Sequence, residues 1–465
     1  MTWTRIPFDE PTYQNSVEEI LTQAMAAGEN CYWNDSGGQS RFPGIKDFVS
    51  LPGTRVWLHD YRNDMIAVTD RGRIFRISRA GDVQDVTLVP LSGAGRPIFA
   101  ETEDALLISA GGPIISLSND KSEVLSLDAP NATHVAFLQG FVIANEPFSG
   151  RLFYSEPGIY DEWPPDNFFT AEAKPDDVNA VVVTPYNELL ACGIDSIEQF
   201  EPFPSGERPF ERRFTTGEGL KYPYTVVANK YGTFGVNRLD EFVRFQLQSS
   251  DTQSDDVQLA LEELDDKSEA WCQEINIKGQ DFMILQFPNA ENSYGTQGVT
   301  YLFDYKKMIW TQLFSWDYQR GTPARWPGWS VLPIWGRQFV GVEGGVAELD
   351  RRVFADRDKP LRMLVRTGHI DEWGSSRINR IRIRIKRGLA PSGEHRSVMG
   401  FRVNRDNRGF GRWIEKDLGR FGERELIVEL PGVGAARTWQ FEYFVTDPTA
   451  VEFVGAQADI DRLPR

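Results

Sequence analysis

Residues 56–78 read VWLHDYRNDMIAVTDRGRIFRIS. Three short apolar runs are separated by Asn63-Asp64 and by Asp70-Arg71-Gly72, residues that reverse a chain cheaply, so the stretch reads as strand, turn, strand, turn, strand. The same rhythm returns in IFAETEDALLISAGGPIISLS, VAFLQGFVIANEPFSGRLFYSE, AVVVTPYNELLACGIDSIEQFE and TVVANKYGTFGVNRLDEFVRFQ. It returns at greater length in WCQEINIKGQDFMILQFP with GVTYLFDYKKMIWTQL, and finally in WSVLPIWGRQFVGVEGGVAELD. The units begin near Val56, Ile98, Val135, Val181, Val226, Trp271 and Trp329, at intervals of 42, 37, 46, 45, 45 and 58 residues. Three or four antiparallel strands at that period are the signature of a β-propeller blade. Each unit can bury its faces only against neighbours, so the array must close. The expected fold is all-β, with a β-propeller-like body of six or seven blades over residues 55–350; an array of β-sandwiches is the competing architecture.

Outward from this body, residues 1–54 read as an N-terminal arm with a short helix. Asn15-Ser16 supplies its cap, Glu18 and Glu19 fill its first turn and Gly28 ends it. SGGQSRFPGIKDF follows, with Phe42-Pro43-Gly44 expected as a turn carrying an aromatic anchor. Near 254–266, Val257, Ala260, Leu261 and Leu264 fall at helical spacing, and Ser254 is a plausible N-cap for a helix inserted between blades. Residues 351–360 read as a charged linker. Beyond it, INRIRIRIKRG alternates strictly, Ile381, Ile383 and Ile385 facing one way and Arg380, Arg382, Arg384 and Lys386 the other. With VMGFRVNRD, ELIVELPG, TWQFEYFVTD and AVEFVGAQADID, it predicts a small C-terminal antiparallel β-sandwich domain over 361–465.

The 465 residues carry a formal net charge of −17, unevenly spread. From Leu361 onward there are 19 Lys+Arg and 14 Asp+Glu, a net of +5, which leaves −22 for the rest. An acidic body argues against general nucleic-acid binding and, with a basic tail, suits contacts between copies or with partners. The basic strand face is expected to pair with another protein surface. No uncharged apolar run approaches the ~18 residues of a membrane helix. The opening MTWTRIPFDEPTYQ lacks the basic-then-apolar order of a signal peptide. Cys31, Cys192 and Cys272 are scattered, and His59, His134, His369 and His395 show no ligand spacing, so neither disulfides, a metal nor a cofactor is expected. Phosphate-cradling and catalytic motifs are absent from the sequence.

One segment concentrates unusual chemistry. Residues 153–169, FYSEPGIYDEWPPDNFF, cannot be helical around Pro157, Pro164 and Pro165. Read as a rigid loop between two propeller units, it is anchored by Tyr154, Trp163, Phe168 and Phe169. Glu156, Asp161, Glu162, Asp166, Glu172, Asp176 and Asp177 cluster in and after it. Such carboxylates serve a glycosidase as an acid and base pair, offer hard oxygens to calcium, as do Asp255-Asp256, or stay solvated.

Residues 153–169, with their continuation FFTAEAKPDDVNAVVVTPYNELLACGIDSIEQFE to Glu201, resemble a block of the tail-hub, or nozzle, proteins of short-tailed bacteriophages, the packaged-DNA stabilisation proteins. Ala171, Glu172, Pro175, Asp176, Ile197, Glu198 and Phe200 carry the likeness. The arm SGGQSRFPGIKDF, the pair DFMILQFP and TYLFDYKKMIW with Phe287, Pro288, Asp304 and Trp310, and the closing FEYFVTDPTAVEFVGAQADI are similar to further segments. The resemblance implies a non-enzymatic virion protein, assembled in the host cytoplasm as a homo-hexamer below the portal and tail adaptor. It would retain packaged double-stranded DNA and pass it at ejection without sequence-specific binding, and it would anchor tail spikes or fibres and a tail needle. A lumen of like charge would let DNA slide. The competing expectations are a carbohydrate-binding propeller and a tail-associated glycosidase.

Overall fold

The computed structural model describes residues 2–8, 28–203, 209–246, 250–387, 397–418 and 425–463. The helix expected over 15–28 lies almost wholly outside them, and Gly28 itself begins a strand. The body is a β-propeller of seven sheets. Blades 1 to 5 are four-stranded meanders: Val56–Tyr61 to Val83–Asp85, Ile98–Glu101 to Lys121–Val124, Val135–Leu138 to Phe168–Thr170, Ala180–Val183 to Phe210–Thr215, and Val227–Asn229 to Asp251–Thr252. Blade 6 runs from Trp271–Ile277 to Ile309–Gln312, and blade 7 begins with Ser330–Ile334. The first strands thus start within a residue of the positions expected from the period. The longest interval, before blade 7, is filled by an extra hairpin, Phe314–Asp317 with Thr322–Arg325.

Burial explains the rhythm. The second strand of each blade lies between two neighbouring blades and is buried along most of its length, so it reads as a continuous apolar run. Fourth strands such as Val83–Asp85 face solvent and read as polar. Two-residue turns with positive φ join first to second strands at Arg62-Asn63, Gln139-Gly140, Lys278-Gly279 and Trp335-Gly336, the left-handed turns that match strand twist. The ring closes where blade 7 meets blade 1. There the Ser330 hydroxyl donates to the Val56 carbonyl at 3.0 Å and accepts from the Leu58 amide at 3.1 Å. Gly341 is required at this seam, because a Cβ would sit 2.0 Å from the Val56 oxygen.

The N-terminal segment is not an arm. Gly44–Ser50 pairs with Gly345–Asp350 and is the outer strand of blade 7. The expected linker continues that sheet, Asp356 of Ala355–Asp356 pairing with Ile45 and Lys359–Pro360 following. The expected turn at Phe42-Pro43-Gly44 is instead an extended link between two strands. Phe42 and Pro43 are buried, Phe42 packing edge-on to Trp326. Gly44 is there for close approach, since a Cβ would meet the Ala355 oxygen at 2.2 Å. Earlier in the segment, Gly28–Glu29 pairs parallel to Ile309–Gln312 of blade 6 and antiparallel to Met363–Arg366. It thereby joins blade 6 to Trp439–Val445, Val398–Arg405 and Ile414–Asp417 in one nine-stranded sheet.

That half-sheet is one layer of the C-terminal sandwich. The other contains Glu425–Ala436, Ser376–Arg387 and Val451–Arg462, extended by Gln39–Arg41 and Cys31–Trp33 and by Thr2–Ile6 on the same edge. Ile381, Ile383 and Ile385 point inward against Phe401, Trp439, Phe441 and Tyr443, as their alternation predicts. Arg41 is buried at the junction, where it donates to the carbonyls of Leu361, Thr446, Asp447 and Thr449. Glu29 bridges the Arg362 guanidinium at 2.6 Å and the Tyr294 hydroxyl. The insertion near 254–266 contains the helix Gln258–Glu262, which lies on the propeller with Val257 and Leu261 in the core beside Trp310. Val257 is its N-cap residue, whereas the Ser254 hydroxyl accepts from the Phe242 amide of blade 5.

Candidate functional site

The first strands of the seven blades surround a central channel holding a cavity of about 420 Å³. Its wall mixes aliphatic residues, Ile98, Val135, Val181 and Val226 among them, with aromatic and polar ones. Polar groups gather where the first strands begin. Arg96 precedes blade 2 and reaches across to donate to the Trp329 carbonyl at 2.7 Å and to Gln273 Oε1 at 3.2 Å, its guanidinium lying 4.5 Å over the Trp271 ring. Burial lowers its pKa to about 9. His134 precedes blade 3 and stacks on Tyr224, which precedes blade 5. Burial pulls His134 down to about 3, so the ring is neutral at pH 7. Just beyond, Arg55 and Arg325 lie 4.6 Å and 4.0 Å over the Trp329 ring, and Glu269 pairs with Arg55 at 2.9 Å. Toward the other ends of the first strands, His59 meets Glu101 at 3.0 Å and stacks on Phe99. Nothing local in the sequence marks Arg96, and His134 reads as a buried or solvated structural histidine. Their signal is positional and usable only once the period is known: each stands immediately before, or one residue before, an apolar first strand.

Residues 155–167 do not link two blades, as the sequence reading had it. They join the third strand of blade 3, Arg151–Tyr154, to its fourth, Phe168–Thr170. Trp163 is buried between blades 2 and 3 against Leu107, Ile114 and Val142, and its Nε1 donates to the Tyr160 carbonyl at 3.0 Å. Phe169 packs toward blade 4 on Phe200 and Phe210, whereas Phe168 is exposed under Arg151. Trp163→Ala is expected to cost about 3–5 kcal/mol, the range for emptying a buried aromatic site, and Trp163→Phe less. Chemical denaturation monitored by circular dichroism measures both, and a loss below about 1 kcal/mol for Trp163→Ala would remove the anchoring role.

The carboxylates around this loop do not converge. Consecutive strands run antiparallel, so the connection before Phe168–Thr170 and the one after it emerge at opposite faces of the propeller. Asp161, exposed, is on one face; Glu172 and Asp176 are on the other. Asp176 is fully occupied, accepting from the Asp195 and Ser196 amides at 2.7 and 3.1 Å and from the Ser196 hydroxyl at 3.1 Å. Buried Glu198 accepts from the Ala173 amide at 2.7 Å and from Arg212 at 3.0 Å. These residues therefore clamp the blade 3 to blade 4 connection onto the third strand of blade 4. Among the described residues, no group of three or more His, Cys, Asp or Glu side chains is placed to hold a metal ion.

The basic strand face is paired within its own sheet, not left for another surface. Arg382 meets Glu429 at 2.7 Å, Arg384 meets Glu425 at 3.0 Å, Lys386 meets Glu452 at 3.2 Å and Arg380 lies 3.8 Å from Asp459. Trp3 lies against the guanidinia of Arg380 and Arg382. Neighbouring strands of opposite charge have neutralised the pattern that looked ready to pair with another protein surface.

No family model matches the chain, and no curated protein matches it. Among solved structures it is similar to the WD40 β-propeller domain of Doa1, at 13% identity over 66% of this chain and 97% of that one, with a TM-score of 0.33. It is similar to the C-terminal WD40 domain of Sif2, at 10% identity over 67% and 88%, with a TM-score of 0.41. The computationally designed protein Ika8 is similar at 10% identity over 65% and 99%, with a TM-score of 0.36. No helix among the described residues is long and apolar enough to cross a membrane.

Proposed function

We propose that this chain is a structural subunit of the tail nozzle of a short-tailed bacteriophage, working as one member of a homo-hexameric ring that holds packaged DNA and lets it pass. The phage assignment rests on the sequence resemblance. What supports an assembly role is the distribution of exposed apolar side chains. The connections after second and fourth strands share one face of the propeller and expose Leu88, Leu127, Phe148, Ile194 and Leu239, while Ile159, Tyr186, Phe203 and Met308 are exposed on the opposite face. Phe148 is 93% exposed and holds φ at +60°, a conformation costly for a bulky residue. An exposed ring on a strained loop tip, and the exposed aliphatic side chains beside it in this set, are accounted for if a neighbouring subunit or the tail adaptor covers them. The residues that carry the resemblance, Asp176 and Glu198 above all, act as internal clamps, in keeping with a family that has no catalytic residues. The glycosidase alternative is disfavoured by the separation of Asp161 from Glu172 and Asp176.

Negative-stain electron microscopy and native mass spectrometry of the purified chain test this reading. Six-membered rings, or density at a tail tip when the chain is added to particles lacking their nozzle, are expected. A monomer at all concentrations that cleaves or saturably binds oligosaccharides would overturn it.

A further inference from the structure

A subunit that merely packs against its neighbours does not need polar side chains in its central channel, yet Arg96 and His134 line this one. Arg96 carries its charge into the cavity without a counter-ion. Among the described residues no carboxylate pairs with it, and the titratable side chains acting on it, Tyr224 and Cys272, are both held neutral by burial. Its two partners, the Trp329 carbonyl and Gln273 Oε1, occupy two of five N–H donors. A buried cation satisfied only by neutral acceptors is expensive, and the chain has 67 acidic residues from which a partner might have been supplied.

His134 gives a second, independent sign. It is 2% exposed, lines the same cavity, and its Nε2 has no hydrogen-bond partner. Nδ1 is 3.2 Å from the Thr133 hydroxyl. The single Thr133 hydroxyl proton is shared between Asn145 Oδ1, at 3.1 Å, and His134 Nδ1; when it goes to Nδ1, Nε2 carries the ring proton and is a donor without an acceptor. Arg325, also without a carboxylate partner among the described residues, adds positive potential behind Trp329. The cavity's carboxylate, Glu101, lies toward the other ends of the first strands and is taken by His59 at 3.0 Å; between the two polar ends the wall is aliphatic and aromatic, with Ile98, Phe99, Val135, Val181 and Val226.

We propose that the channel binds a small organic acid, with its carboxylate on Arg96 and His134 Nε2 and its apolar remainder along the valine and isoleucine wall. A planar carboxylate matches the fork of a single guanidinium. Phosphate would need more donors than the lining offers and would leave the aliphatic wall against water.

Isothermal titration calorimetry on the full chain at pH 7 decides the matter, with octanoate, benzoate, octanamide and inorganic phosphate as probes. Saturable one-to-one binding of octanoate or benzoate is expected, at least tenfold tighter than octanamide or phosphate. Arg96→Gln should weaken it at least tenfold, and His134→Leu, which keeps the packing on Tyr224, severalfold. Arg96 also ties blade 2 to blades 6 and 7; if Arg96→Gln does not fold, His134→Leu and the octanamide comparison carry the test. Absence of carboxylate binding, equal binding of octanamide, binding of phosphate alone, or unchanged affinity in folded Arg96→Gln or His134→Leu would each overturn the proposal.

Discussion

A chain that begins at Leu51 is expected to lose cooperative folding. The deletion removes Gly44–Ser50, so the buried strand Gly345–Asp350 becomes an open edge on blade 7. Such an edge is a template for aggregation. It also removes Phe42 and Tyr32 from the core between blades 6 and 7, and Gly28–Glu29 from the sheet that joins blade 6 to the sandwich. A propeller is stable only as a closed array, so these losses act together. Thermal melts followed by circular dichroism and size-exclusion chromatography should show a broad, weak transition and aggregated material. A synthetic peptide of residues 28–50 should restore part of the sharp transition. A truncated chain that melts as the full chain does would show that closure does not depend on this segment.

Glu442→Ala is expected to destabilise the sandwich by about 3–5 kcal/mol, the cost of removing the buried member of an ion-pair cluster. Glu442 is fully buried in the sheet and takes Arg366 at 2.7 Å and Arg402 on its other oxygen. Both guanidinia lie over the Phe410 ring, at 5.0 and 4.6 Å. Removing the carboxylate takes away the buried counter-charge that two partly buried guanidinia share. Glu442→Gln keeps the shape and loses the charge, so a smaller loss is expected. The triple change of Glu442, Arg366 and Arg402 to Leu should recover much of the Glu442→Ala loss, because well-packed apolar groups often replace a buried ion cluster at little cost. Urea denaturation gives each value; a Glu442→Ala loss below about 1 kcal/mol would mean that the cluster is solvated and weak.

The blade starts were legible because burial writes itself into composition. A strand covered on both faces must be apolar throughout, as in MIAV and FVIA, and it is flanked by residues that tolerate positive φ. The inward face of Ser376–Arg387 was legible from alternation alone. What escaped was long-range pairing. Nothing local in GIKDFVS says that its partner lies some three hundred residues away at Gly345–Asp350, so a closing strand looked like an arm. Phe168–Thr170 is three residues long, too short to show a period, which is why a loop inside blade 3 looked like a linker between blades. The arginine face looked free because its partners, Glu425, Glu429 and Glu452, come from two other strands. Arg96 and His134 became visible as a pair only when the ring brought their blades around one axis.

The central structural claim is that residues 28–50 close the propeller and fasten it to the sandwich. Hydrogen–deuterium exchange of the intact protein, read by mass spectrometry on peptides covering this segment, tests it most directly. The amides of Phe42, Gly44 and the strand Gly44–Ser50 that bond to Asn30, Val353 and Gly345–Asp350 should exchange as slowly as the second strand of blade 7, and in the same cooperative step. Exchange within seconds while the second strands of the blades stay protected would contradict it, and would return the segment to the free arm that its sequence suggests.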